Sequence, residues 1–171
     1  MPITSVSSDA NTLTLTIAGE YPVPVERLWQ AYADPRQLER FWGPETYPAT
    51  FTRHDMEVGG NSQYYMTGPD GSTSHGSWYF LEVEPGRRIV VEDGFAHDDG
   101  LPNDSMPNMR MVFTFEGTAT GSSVTIVTTF ASVEEMQQMV EMGMDEGMRS
   151  AMGQLDGVLA EPAPVAAAHA G

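Results

Sequence analysis

Leu13, Leu15 and Ile17 alternate with Thr12, Thr14 and Thr16, the period of a strand with one buried face, which predicts a first strand over 12–20. Pro22 and Pro24 end it. From Val25 the apolar residues Val25, Leu28, Trp29 and Tyr32 fall at helical spacing until Asp34-Pro35. A second short helix over 35–42 begins on proline, whose missing N–H is harmless in a first turn, and stops at Gly43-Pro44. Between 47 and 130 short extended runs are divided by turn chemistry at Gly59-Gly60, Pro69-Asp70-Gly71, Pro85-Gly86, the loop 96–107 and 117–121. Six strands fit there. Met109, Met111, Phe113 and Phe115 share one face of their strand, and Val124, Ile126, Thr128 and Phe130 share one face of the next. Short turns between consecutive strands make the sheet antiparallel.

Ser132 followed by Glu135 is a capping-box pattern, and it opens a helical stretch predicted to run unbroken to about residue 160. Val133, Val140, Met144, Met148, Ala151, Met152, Leu155, Val158 and Leu159 fall on one face of that helix, with an acidic face opposite. Residues 162–171, alanine and proline with nothing to bury, are expected to form a disordered tail behind a single domain over 1–161.

Three further features narrow the reading. The break Gln37-Leu38-Glu39-Arg40-Phe41-Trp42-Gly43-Pro44, then Val58-Gly59-Gly60, then Gly68-Pro69-Asp70-Gly71 occur in that order ahead of the long last helix. In order and spacing they resemble the bacterial homologues of the activator of the heat-shock protein 90 ATPase, within the START-like (SRPBCC) superfamily. The resemblance covers about 13–160. It implies an α+β helix-grip fold, in which a curved antiparallel sheet of about seven strands wraps a long C-terminal helix, with two short helices after the first strand. It also implies a ligand cavity between sheet and helix.

Two positions depart from that family's pattern. Ser62 stands where relatives often carry tryptophan after the Gly-Gly pair, and Met148 stands where they often carry tryptophan after the glycine here numbered Gly147. Both changes remove volume, which predicts an enlarged cavity unless neighbours fill it. Strand alternation nominates Trp42, Tyr64, Met66, Trp78, Phe80, Val91, Phe95, Met109, Met111 and Phe113 as cavity wall, with Met144 and Met148 from the helix; a slip of one residue in register would exchange half the set. Six of the twelve methionines, Met136, Met139, Met142, Met144, Met148 and Met152, lie in the C-terminal helical stretch. Flexible, polarizable side chains suit ordinary core packing and equally a wall that accepts varied shapes. Met136, Met139 and Met142, off the main apolar face, would close a pocket entrance or make a homodimer contact.

Charge and composition exclude more than they assign. Eight basic residues against 24 acidic ones give a net charge of −16, which repels phosphate backbones and anionic headgroups. No cysteine is present, so thiolate chemistry and cysteine metal sites are absent. His54-Asp55 and His97-Asp98 are neighbours in sequence, but adjacent strand residues face opposite ways. No histidine spacing suggests a metal, and no nucleophile elbow, phosphate loop or dinucleotide fingerprint occurs. Residues 1–10 lack a secretory pattern and no window reaches membrane-span length, so a cytoplasmic protein is expected, with no cofactor. The resulting expectation is a binding protein for a small hydrophobic or aromatic molecule. A polyketide cyclase or aromatase-like enzyme is the alternative, with Tyr64, His75, Asp93 and Arg110 as its polar groups if they face inward. A co-chaperone role, implied only by the family name, is the third.

Overall fold

The computed structural model describes residues 3–97, 103 and 108–161; the expected tail and most of the loop 96–107 lie outside them. In chain order the elements are β1 (Ile3–Asp9), β2 (Thr14–Tyr21), α1 (Val25–Ala33), α2 (Pro35–Phe41), β3 (Ala49–His54), β4 (Asn61–Thr67), β5 (Thr73–Glu84), β6 (Arg88–Ala96), β7 (Asn108–Thr118), β8 (Gly121–Thr129), α3 (Val133–Glu141) and α4 (Met144–Leu159). The strands form one antiparallel sheet in the order β1-β2-β8-β7-β6-β5-β4-β3. Thus β3 to β8 make a continuous meander. The α1–α2 pair carries the chain from β2 across to the far edge, where β3 begins.

Alternation decides which side of the sheet is core. Leu15, Ile17, Phe80, Val91, Met111, Phe113, Phe115, Val124 and Ile126 are buried, while the intervening residues are at least partly exposed along most of each strand. The helices cover this face. Asp34 caps α2 by accepting hydrogen bonds from the Arg36 N–H at 3.0 Å and from Gln37 Nε2 at 2.9 Å. Arg27 then ties α1 to the end of α4, donating to Gln37 Oε1 at 2.7 Å and to the Val158 carbonyl at 3.0 Å. Gln154 Nε2 donates to the Gly43 carbonyl at 2.8 Å, pinning α4 to the Gly-Pro break that ends the short helices.

Two features depart from the expected architecture. An eighth strand, β1, pairs with β2, and its register shifts between Ile3 and Ser5. The shift explains why Ile3 and Val6, three residues apart, do not show strand alternation in sequence. The C-terminal helix is also two helices, not one. Gly143 takes a left-handed conformation (φ +88°) between α3 and α4, a region open to glycine at little cost. The break changes which face is inward: Met136 and Met139 are buried, whereas Val133 and Val140, assigned to the apolar face from an unbroken wheel, are exposed.

Candidate functional site

Between α4 and the middle of the sheet lies a cavity of about 230 Å³. Its inner wall is buried and carries Tyr32, Phe41, Tyr64, Met109, Met111, Ile126, Met148 and Met152. Half-buried Trp42, Pro44, Met66, Phe95 and Met144, with exposed Met142, stand around its mouth. Every element contributes for a local reason: strand alternation delivers Tyr64 and Met66 from β4 and Met109 and Met111 from β7. The helix break delivers Met139, Met142 and Met144.

Of the twelve nominated wall residues, Trp42, Tyr64, Met66, Phe95, Met109, Met111, Met144 and Met148 line the cavity. Trp78, Phe80, Val91 and Phe113 do not; they are a second layer behind it. Trp42 covers Trp78 edge-on, ring centroids 4.9 Å apart, and Phe113 packs 5.8 Å from the same indole. All four are buried, and depth from the mouth depends on what lies above them. Tyr32, Phe41 and Ile126 line the cavity without having been nominated. Tyr32 and Phe41 are the inward residues of two short helices whose orientation only packing fixes.

Ser62 and Met148, the two positions expected to enlarge the cavity, have different fates. Met148 lines the cavity. Ser62 is fully buried and away from it: its hydroxyl bonds His54 Nδ1 at 2.7 Å, and the imidazole lies against Phe51 and Phe80, both at 5.8 Å. His54 Nε2 lies 2.9 Å from the Tyr32 carbonyl, which can only accept, so Nε2 carries the proton and Nδ1 accepts from Ser62. Burial lowers the His54 pKa below the ordinary histidine range. At this position a histidine fills the missing volume, so only Met148 leaves space.

A polar pair faces the cavity. The Tyr64 hydroxyl donates to Asp93 Oδ1 at 3.0 Å, both residues being buried. The register explains the reach. Tyr64 on β4 pairs with Gly76 on β5, Gly76 pairs with Phe95 on β6, and Asp93 pairs with Trp78. With no side chain on Gly76, the phenol crosses β5 diagonally to the carboxyl. The Trp78 indole N–H is buried and makes no hydrogen bond of normal geometry, yet it lies close enough to Asp93 and to the Tyr64 oxygen to favour their charged forms. Burial outweighs both donors and raises the Asp93 pKa to about 7. It likewise pushes Tyr64 well above the usual phenol value, with the Asp93 charge adding to the shift. His75 borders the cavity, but its ring is turned to the other face of β5, 5.5 Å from that of Tyr65, with Nε2 3.2 Å from Thr73 Oγ1. Arg110, the fourth polar group considered, points away: its guanidinium pairs with Glu92 at 2.8 Å on the outer face. Among the described residues no group of three or more His, Asp or Glu side chains is arranged to hold a metal ion, and no helix is long and apolar enough to cross a membrane.

The family described as Activator of Hsp90 ATPase homolog 1-like protein matches residues 22–160. Protein Ms6760 from Mycobacterium smegmatis, a crystal structure, is 45% identical over 95% of this chain and 100% of its own, with a TM-score of 0.86. A protein from Arthrobacter aurescens, solved by NMR, is 46% identical over 94% of this chain and 93% of its own, with a TM-score of 0.88. DynU16, from the dynemicin biosynthetic locus, is 19% identical over 86% of this chain and 47% of its own, with a TM-score of 0.63, a likeness of fold alone. No functionally curated protein matches. The antiparallel sheet closed by C-terminal helices is the helix-grip fold of these relatives, with eight strands in place of the expected seven.

Proposed function

We propose that this chain, which belongs to the Activator of Hsp90 ATPase homolog 1-like family, binds a small hydrophobic or aromatic molecule between sheet and α4 without transforming it. The observation that carries this reading is the cavity itself: about 230 Å³, walled by aromatic rings and methionines and open at a rim of half-buried apolar residues. A space that size, lined this way, favours apolar occupants through the area they remove from water. Methionines at 66, 109, 111, 139, 142, 144, 148 and 152 supply a wall that can adjust to shape. The partner is then a small molecule, not a nucleic acid or membrane surface, in keeping with the net charge of −16, and the protein is cytoplasmic.

A neutral, environment-sensitive dye tests the reading. It should bind at a single saturable site and quench tryptophan emission, because Trp42 is at the mouth and Trp78 directly behind it. Native mass spectrometry of protein purified without denaturation should show a co-purifying small molecule. Saturable binding without a tryptophan response would move the site elsewhere, and absence of any apolar binding would end the proposal.

A second reading is a proton-transferring enzyme of the cyclase or aromatase type. It is favoured by a buried carboxyl with a pKa of about 7, hydrogen-bonded to a phenol and facing the cavity. Turnover of an activated carbonyl compound that is lost in Asp93→Asn would support it over simple binding.

A further inference from the structure

Among the described residues Asp93 is the only carboxylate lining the cavity, and neither arginine nor lysine lines it. Its side chain is only 7% exposed. Among the described residues its hydrogen-bond donor of normal geometry is a neutral phenol, Tyr64, with the neutral Trp78 indole N–H nearby. No arginine among the described residues reaches it. The chain has no lysine, and none of its eight arginines lines the cavity: Arg36 pairs with Glu39, Arg40 with Glu161, Arg53 with Asp55, Arg88 with Glu82 and Arg110 with Glu92, Arg27 donates to Gln37 and the Val158 carbonyl, and Arg87 and Arg149 are exposed. A buried carboxylate without a countercharge is costly, and whatever brings a positive charge to it recovers that cost.

The surroundings select the same sign. The rings of Tyr32, Phe41, Trp42, Tyr64 and Phe95 border the cavity, and the faces of aromatic rings attract cations. A net charge of −16 concentrates cations around the molecule and repels anions. Given an apolar occupant as proposed above, we propose that it is a hydrophobic amine, an aromatic or alicyclic body bearing one cationic nitrogen that Asp93 holds inside the ring-lined wall.

Among the described residues the other titratable groups facing this space are Tyr64 from β4 and Tyr32 from α1, while His75 from β5 borders it with its ring turned to Tyr65. Met109, opposite Asp93 on β7, and Met148, Ala151 and Met152 from α4 carry none, while Glu92 and Arg110 pair on the outer face. Binding an ammonium requires the ionised carboxylate, and burial raises the Asp93 pKa to about 7. Amine binding therefore expels a proton at lower pH, and affinity rises as pH increases through that value.

Three probes of one shape separate the possibilities: 2-naphthylmethylamine, 2-naphthylmethanol and 2-naphthoate, titrated by calorimetry into the wild type and Asp93→Asn at pH 8. The amine is expected to bind about tenfold or more tighter than the alcohol, the gain of a charge-assisted hydrogen bond, with the naphthoate weakest. Asp93→Asn should abolish the amine preference, bringing amine and alcohol to similar affinities. In the wild type alone, amine affinity should climb between pH 6 and pH 8 while alcohol affinity does not. Alcohol or acid binding as tightly as the amine, an amine preference surviving in Asp93→Asn, or an amine affinity flat with pH would overturn the assignment while leaving apolar binding intact. If none of the three binds, the binding reading falls and the assignment with it.

Discussion

Gly76 lies directly beneath the ring of Tyr64: a Cβ on Gly76 would come within 2.5 Å of the phenol Cζ and 2.6 Å of its oxygen. The absent side chain is what lets Tyr64 cross β5 to Asp93. Gly76→Ala should therefore push the ring aside, break the Tyr64–Asp93 hydrogen bond and destabilise the protein by roughly 1–3 kcal/mol. In a Tyr64→Ala background the same methyl finds room, so its cost should nearly vanish. Urea unfolding of the four members of this cycle measures the coupling; additive effects would show that the ring is not seated on Gly76.

Asp93 sets a slope of stability with pH. Its folded pKa of about 7 lies above the ordinary value of 3.8, so between about pH 4 and 7 the native state holds more protons than the unfolded chain. Stability from this group is full below the lower value, falls as pH rises, and is flat again above the upper one, a loss on the order of 4 kcal/mol at most. Asp93→Asn should erase the slope and gain on the wild type as pH increases from 5 to 8. Midpoints of urea unfolding across that range check it, and parallel curves for the two proteins would refute the assignment.

His54 acts in the opposite direction. Burial holds its pKa below the ordinary histidine value, so its contribution is complete above pH 6.5 and is lost as pH falls through the lowered value. Protonation also forces Nδ1 to donate, which turns the Ser62 contact around. His54→Gln is expected to cost about 1–3 kcal/mol at pH 7.5, mostly from the lost packing and hydrogen bonds around Ser62. The cost should shrink on acidification, as comparison of unfolding midpoints at pH 7.5 and 5 would reveal.

Met148 lines the cavity, so Met148→Trp should fill space already present. Stability is expected to stay equal or rise, while affinity for a neutral apolar dye falls. A loss of about 1–3 kcal/mol with unchanged dye affinity would mean that the new ring overpacks core and leaves the cavity empty. Thermal unfolding with and without dye distinguishes these results.

Gly143→Ala places a Cβ at a left-handed φ of +88°, which should cost about 1–2 kcal/mol and favour continuation of α4 into α3. A continuous helix would withdraw Met139 and Met142 from the mouth. Dye affinity and helical circular dichroism, measured together, should then change in concert.

Most of the architecture was legible because it depends on local signals. Alternation at Leu15–Ile17, Met109–Phe115 and Val124–Phe130 gave strand and face together, Asp34-Pro35 and Gly43-Pro44 bounded the short helices, and Ser132 marked the start of α3, where its hydroxyl accepts from the Glu135 N–H at 3.1 Å. β1 escaped because a register shift hid its period, and the break at Gly143 escaped because glycine alone does not end a helix.

From composition and pattern alone followed the acidic, cysteine-free character of the chain, the antiparallel meander, and which strand residues face inward, since a period of two is a property of the backbone. Tertiary structure decided how far inward they sit. Trp78 became a second layer only because Trp42, thirty-six positions earlier in sequence, covers it at 4.9 Å. The space expected at Ser62 closed because His54 reached it from the neighbouring strand, while the space at Met148 stayed open. Asp93 meets Tyr64 inside the cavity because Gly76 carries no side chain, and no arginine lines the wall beside it. Depth, filling and countercharge depend on groups distant in the chain, and no local pattern encodes them.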